Sequence, residues 1–195
     1  MRIPVFTILM VFPYLFLYSQ DEKTHMEKRV TSTVDSTNKK ELVLIQEFMV
    51  NVPLDSVWNA YTTKNGWENW AVAIAEVDFK IHGKIRTNYN KNGKIGDSTT
   101  INLKVVNYIP KRLITLQAEL TSNFPDFMKK DEKDLYNIIY FEAITTKKTK
   151  VTSYGIGYKN NLKYLSLMKF FISGNEKSYL NLITYLETGK PSINY

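Results

Sequence analysis

Residues 51–70 read NVPLDSVWNAYTTKNGWENW. Pro53 suits the first position of a helix, where a missing N–H costs nothing and the ring has already fixed φ. Leu54, Val57, Trp58 and Tyr61 follow at i, i+3, i+4 and i+7, which makes one apolar stripe along a short helix. Asp55 stands where the helix dipole favours negative charge. Gly66 is read as the residue that ends the helical segment. Trp58 serves to pack this helix onto its neighbours, and Trp70 serves either that purpose or the rim of a cavity.

On the C-terminal side the period changes to two. Val77, Phe79 and Ile81 alternate with Glu76, Asp78 and Lys80, as in a half-buried strand. His82-Gly83 predicts a turn into a strand over 84–90, and Asn92-Gly93 predicts another turn, with Gly96 extending the loop. Thr99–Ile109 reads as a strand with Ile101, Leu103 and Val105 on one face. Pro110-Lys111 turns it into 112–121. Residues 123–134 read as a loop or short helical excursion, and 135–145 with 150–158 as a last hairpin. Short strands separated by turn signals predict an antiparallel meander. On the N-terminal side, Glu41–Asn51 is the first strand. The C-terminal stretch, Asn161–Glu187, reads as a long helix. Its first half is apolar on nearly every side, and Tyr179, Leu180, Ile183 and Leu186 repeat at helical spacing in its second. Ser173-Gly174-Asn175-Glu176 resembles a capping box at which the helix restarts, and Gly189 with Pro191 ends it.

The 195 residues suit one domain once a leader and tail are set aside. With no cysteine, disulfides, thiolate chemistry and cysteine-ligated zinc are excluded. The net charge of +7 comes from scattered lysines. No basic stripe with interleaved aromatics appears, so no nucleic-acid partner is expected. Residues 1–20 combine Arg2 with an uncharged apolar run, the pattern of a signal peptide, and predict an exported protein, periplasmic or secreted. Tyr18-Ser19-Gln20 lacks the small-x-small cleavage pattern, which leaves an uncleaved N-terminal membrane anchor as the alternative. Residues 21–40, which include His25, are polar and are expected to be a flexible linker. The domain is expected over 41–190, with 191–195 as a tail.

A strand, a Pro-opened helix, a six-strand meander and a long C-terminal helix follow one another in the order of the helix-grip fold. This is an α+β class in which a curved antiparallel sheet wraps a long C-terminal helix, with two short helices after the first strand. In detail the chain resembles the SRPBCC (START-related) superfamily, and within it the branch named for the activator of the heat-shock protein 90 ATPase. The residues that carry the resemblance are Val52-Pro53-Leu54-Asp55-Ser56-Val57-Trp58, Gly66-Trp67-Glu68-Asn69-Trp70, Val77-Asp78-Phe79 leading to His82-Gly83-Lys84-Ile85-Arg86, Tyr108-Ile109-Pro110-Lys111-Arg112-Leu113, and Tyr185-Leu186-Glu187-Thr188-Gly189-Lys190. Many relatives have Gly-Gly where this chain has His82-Gly83. The resemblance spans about 42–190. It implies a fold and leaves activity open, because the family contains binding proteins, cyclases and chaperone regulators.

Candidate chemistry is sparse. His82 is the only histidine of the domain and falls at a turn, where exposure is expected. The acidic and basic residues of 126–134 alternate like a solvated loop, so no metal site and no cofactor is expected. A cavity remains. Phe79, Leu103 and Phe141 are expected to point from the sheet toward Met168 and Phe171 on the helix, with Tyr89 and Trp70 beside them. These seven residues are the candidate binding site for a small hydrophobic or aromatic ligand. A filled interior with no vacancy is the alternative. Three functions follow: a non-enzymatic exported binding protein; an enzyme of cyclase or hydrolase type, which needs convergence among Tyr89, Tyr140, Tyr154 and Glu142; and a protein-interaction module like a chaperone regulator.

Overall fold

The structure, a computed structural model, describes residues 28–122 and 124–192. The expected leader, the first part of the linker with His25, and the end of the tail lie outside these residues. Among the described residues eight strands form one antiparallel sheet: β1 (Val30–Asp35), β2 (Glu41–Val50), β3 (Ile74–Val77), β4 (Lys84–Asn88), β5 (Ile101–Ile109), β6 (Leu113–Glu119), β7 (Tyr136–Thr145) and β8 (Lys148–Lys159). The helices are α1 (Leu54–Thr62), α2 (Lys64–Trp70), α3 (Asp126–Asp131) and α4 (Leu162–Thr188). The sheet order is β1-β2-β8-β7-β6-β5-β4-β3, so the six-strand meander β3–β8 closes against β2. Register shifts in the β2–β8, β5–β6 and β7–β8 pairs help to curve it. This is the expected helix-grip architecture, with α4 laid along the concave face. Among the described residues no helix is long and apolar enough to cross a membrane.

Four local expectations are corrected. The stretch expected to be a flexible linker contains β1, which pairs with β2 along its whole length. Val30 and Val34 alternate with β-branched threonines, and Val30 is buried, so the segment has one apolar face despite its polar composition. The strand expected through Ile81 stops at Val77. Residues 78–83 turn instead, with His82 exposed at φ 65° and its N–H donated to the Val105 carbonyl. Gly66 does not end a helix; it lies inside α2, where a Cβ would stand 2.5 Å from the Ala60 carbonyl oxygen. Glycine there lets α2 fold back against the end of α1. Finally, α4 runs unbroken through Ser173-Gly174 and ends at Gly189 in the left-handed conformation.

The Gly-Trp-x-x-Trp turn does a specific task. The last carbonyls of a helix lack intrahelical partners. At the end of α1 the Ala60 carbonyl accepts the indole N–H of Trp70 at 3.0 Å, and the Tyr61 carbonyl accepts that of Trp67 at 2.8 Å. The two indoles lie 5.2 Å apart and pack on Tyr61.

The interior is two apolar clusters. The larger joins α1, α2 and the second half of α4 to the sheet through residues such as Val57, Trp70, Phe141 and Leu182. The smaller joins α3 and the first half of α4 to β2 through Leu42, Leu44, Met128, Leu135, Tyr164 and Met168. Asp131 holds the smaller one together, accepting from the Tyr164 hydroxyl at 2.9 Å and from the Lys159 ammonium. The Lys159 bond, supported by Tyr164, holds the Asp131 carboxyl below the usual carboxylate range. A group with a lowered folded pKa contributes stability above its unfolded pKa and loses it as pH falls through the folded value. Lys159 is largely solvated, so the contribution is about 1–2 kcal/mol. Asp131→Asn is expected to lose about that much at pH 7 in urea unfolding. Its stability should also fall less steeply than the wild type's below about pH 4.

Candidate ligand cavity

Between the two clusters lies a cavity of about 290 Å³. Its walls come from both short helices, from β5, β6, β7 and β8, and from α4. It continues at Tyr89, Phe124, Met128 and Phe171 into an outer groove of about 590 Å³, bordered by Ile101, Pro125, Leu167 and Phe170. The groove is the mouth. Tyr89 and Phe170 stand exposed at its edge. Among the described residues that line cavity and mouth, none is an acid, a lysine, an arginine or a histidine.

The seven expected site residues divide. Trp70, Leu103 and Phe171 line the cavity, and Tyr89 lies where cavity and mouth meet. Phe79, Phe141 and Met168 do not line it. Phe79 leaves the sheet with the turn after Val77 and packs on Tyr108 and Trp58, with ring centres 4.8 and 5.7 Å apart. Phe141 does face inward, but Trp58 and Tyr61 fill the space in front of it. Met168 is buried in the smaller cluster. The four side chains that catalysis would need do not converge. On β7, Asn137, Ile139 and Phe141 share the inner face, and alternation turns Tyr140 and Glu142 outward. Tyr154 pairs with Ile138 on that same outer face, and Tyr89 stands alone at the mouth.

A polar group at the deep end was not expected. Tyr61, Asn137, Tyr158, Asn175 and Tyr179 all line the cavity. Ser153 donates to the Asn137 side-chain oxygen at 3.0 Å, and both interact with the Tyr179 hydroxyl. Asn175 donates to Gln46 at 2.8 Å, Gln46 to Ser32 at 2.9 Å, and Ser32 to Glu176 at 2.7 Å, a chain that ties the cavity wall to β1. The Tyr61 hydroxyl alone is buried with no hydrogen-bond partner among the described residues. Burial, and then the neighbouring Tyr179, push its pKa well above the ordinary tyrosine range. Burial likewise carries Tyr158 up to about 12 and raises Tyr179 against the pull of its hydrogen bonds. All three phenols are therefore neutral at physiological pH. The sequence does contain one signal for this group, because Asn137 stands in step with the inward Ile139 and Phe141.

Residues 51–187 match the sequence model of the family described as activator of Hsp90 ATPase homolog 1-like protein. Among solved structures, the Aha1 dimer from Colwellia psychrerythraea is similar at a TM-score of 0.56 and 15% identity, over 76% of this chain and 98% of that one. CalU16 from Micromonospora echinospora gives 0.56 and 15%, over 83% of each chain. DynU16, a putative protein in the dynemicin biosynthetic locus, gives 0.60 and 18%, over 78% of this chain and 49% of its own. At these identities the likeness is one of fold. Against curated protein sequences the chain has no match.

Proposed function

We propose, since the chain belongs to the activator of Hsp90 ATPase homolog 1-like family of the SRPBCC superfamily, that it is a binding protein for a small hydrophobic ligand held between sheet and C-terminal helix. The observation that carries this reading is the uncharged, largely aromatic cavity reached through an apolar mouth. Ligand sites are concave, mostly apolar and largely preformed, with a few polar groups that fix orientation. Cavity and mouth together reach the usual size of such sites, about 300–1,000 Å³. Catalysis is not part of the reading, because Tyr140, Glu142 and Tyr154 lie on the outer face of the sheet, away from the cavity that Tyr89 borders. The leader-like residues 1–20 support placing the protein outside the cytoplasm, whether released or held by that segment. A cytosolic chaperone partner would not be met there.

The test is titration with the neutral fluorophore N-phenyl-1-naphthylamine. Trp67 and Trp70 line the cavity and report occupancy by energy transfer. Ala118, also on the wall, gives the control. Ala118→Phe fills space without adding charge and is expected to weaken binding about tenfold or more, while thermal unfolding shows that it still folds. Equal affinity in both proteins would place the fluorophore elsewhere and defeat the reading. Cell fractionation that left the protein in the cytoplasm would overturn the export part alone.

A further inference from the structure

The apolar cavity carries a group of polar side chains away from its mouth, and among the described residues the Tyr61 hydroxyl is the fully buried side-chain polar atom with no hydrogen-bond partner. A buried hydroxyl without a partner is costly, and native proteins rarely leave one in that state. Its neighbours offer no relief. Asn175 donates to Gln46, and the Ser178 hydroxyl donates to the Gly174 carbonyl at 3.1 Å. Asn137 and Ser153 bond each other and attend Tyr179. Tyr61 is held in place by Trp67, Trp70 and Phe141, with ring centres 5.3–6.4 Å away, so the phenol does not swing out to find another partner. It belongs to the cavity wall and is 2% exposed.

We infer that the ligand is a neutral amphiphile with an oxygen acceptor at one end, such as a ketone, ester or alcohol, and that this end enters first and accepts a hydrogen bond from the Tyr61 hydroxyl. This rests on the hydrophobic-ligand reading and adds the polarity and direction of the ligand. Neutrality follows from the walls. Among the described residues no cation lines cavity or mouth to pair with a carboxylate or phosphate, and a buried ion without a partner is heavily penalised. The phenols add no counter-charge, since burial keeps them protonated. Direction follows from placement, because the unused donor lies away from the mouth while Ile101, Leu167 and Phe170 at the mouth suit an alkyl or aromatic tail. Size follows from volume. At about 30 Å³ per water-sized group, the inner cavity takes roughly ten non-hydrogen atoms, with the rest of the molecule in the mouth.

The test uses the full chain and displacement of N-phenyl-1-naphthylamine by four nine-carbon probes: nonane, 2-nonanone, 5-nonanone and nonanoate. In the wild type, 2-nonanone should displace the fluorophore at about one tenth the concentration of 5-nonanone, since the two isomers differ only in whether the acceptor can reach the Tyr61 hydroxyl. Tyr61→Phe should cost 2-nonanone about tenfold and leave nonane unchanged. Equal affinity of the two ketones, or no change on Tyr61→Phe, overturns the inference while leaving the hydrophobic-ligand reading intact. Nonanoate binding more tightly than 2-nonanone overturns the neutral head. Failure of the fluorophore and of all four probes to bind overturns both. The isomer comparison needs no variant, so it stands however Tyr61→Phe folds.

Discussion

Replacing Trp70 by alanine is expected to destabilise the protein by about 3–5 kcal/mol, the range for removing a buried indole from a core that cannot collapse around the gap. Trp70 is 4% exposed, stacks between Trp67 and Tyr61, and satisfies the Ala60 carbonyl at the end of α1. Relaxation has little room, because Gly66 already brings α2 as near to α1 as backbone allows. The deletion also joins its space to the cavity. Trp70→Phe separates the contributions. It keeps most of the ring volume and loses the N–H, so about 1–2 kcal/mol of the loss should remain. Urea unfolding followed by circular dichroism measures both. A loss below about 1 kcal/mol for Trp70→Ala would mean that the indole is not part of the packed core.

The second large effect is expected at Gly157. It lies in β8 at φ 84°, a region that side chains other than glycine's rarely adopt. A Cβ there would stand 1.8 Å from the carbonyl oxygen of Asp134. Conformational strain and backbone overlap therefore coincide, and no flexible side chain is available to yield. Gly157→Ala is expected to cost about 4 kcal/mol or more, lowering the melting temperature by about 8–16 °C for a domain of this size. The damage has a direction. Asp134 leads into Leu135, which belongs to the smaller apolar cluster and lines the cavity. Pushing that backbone off β8 should also weaken fluorophore binding in whatever fraction folds. A melting temperature within about 2 °C of wild type would refute the close approach.

The elements that could be read from sequence were those with a clear period. Leu54, Val57, Trp58 and Tyr61 mark α1 through one stripe, and the alternations of β5 and β7 are as plain. β1 was hidden because Ser32 shares the inner face with Val30 and Val34 while Thr31, Thr33 and Asp35 point outward, so only two of its six residues are apolar although the β pattern is unbroken. Gly66 was misread for a related reason. Glycine after a helical stripe fits a helix end, and only the second indole's reach back to Ala60 reveals a close approach instead. For the cavity, alternation tells which face a residue points to and nothing of what stands opposite. Phe141 was given the right face, yet Trp58 and Tyr61 occupy the room before it. Met168 sits one turn before Phe171 on α4, but only the latter reaches the void. The unpaired hydroxyl of Tyr61 is a property of distances between elements far apart in the chain, and no local pattern contains it.

The two apolar clusters both contribute to the cavity wall, so part of their common boundary is void rather than packed side chains. That boundary is expected to be a line of weakness, along which α3 and the start of α4 part from the remainder before global unfolding. A bound guest would act as mortar on that line. Amide hydrogens of α3 and of the first turns of α4 should then exchange more slowly when the site is filled, whereas those of β2 and β8, already sealed in the middle of the sheet, should hardly notice.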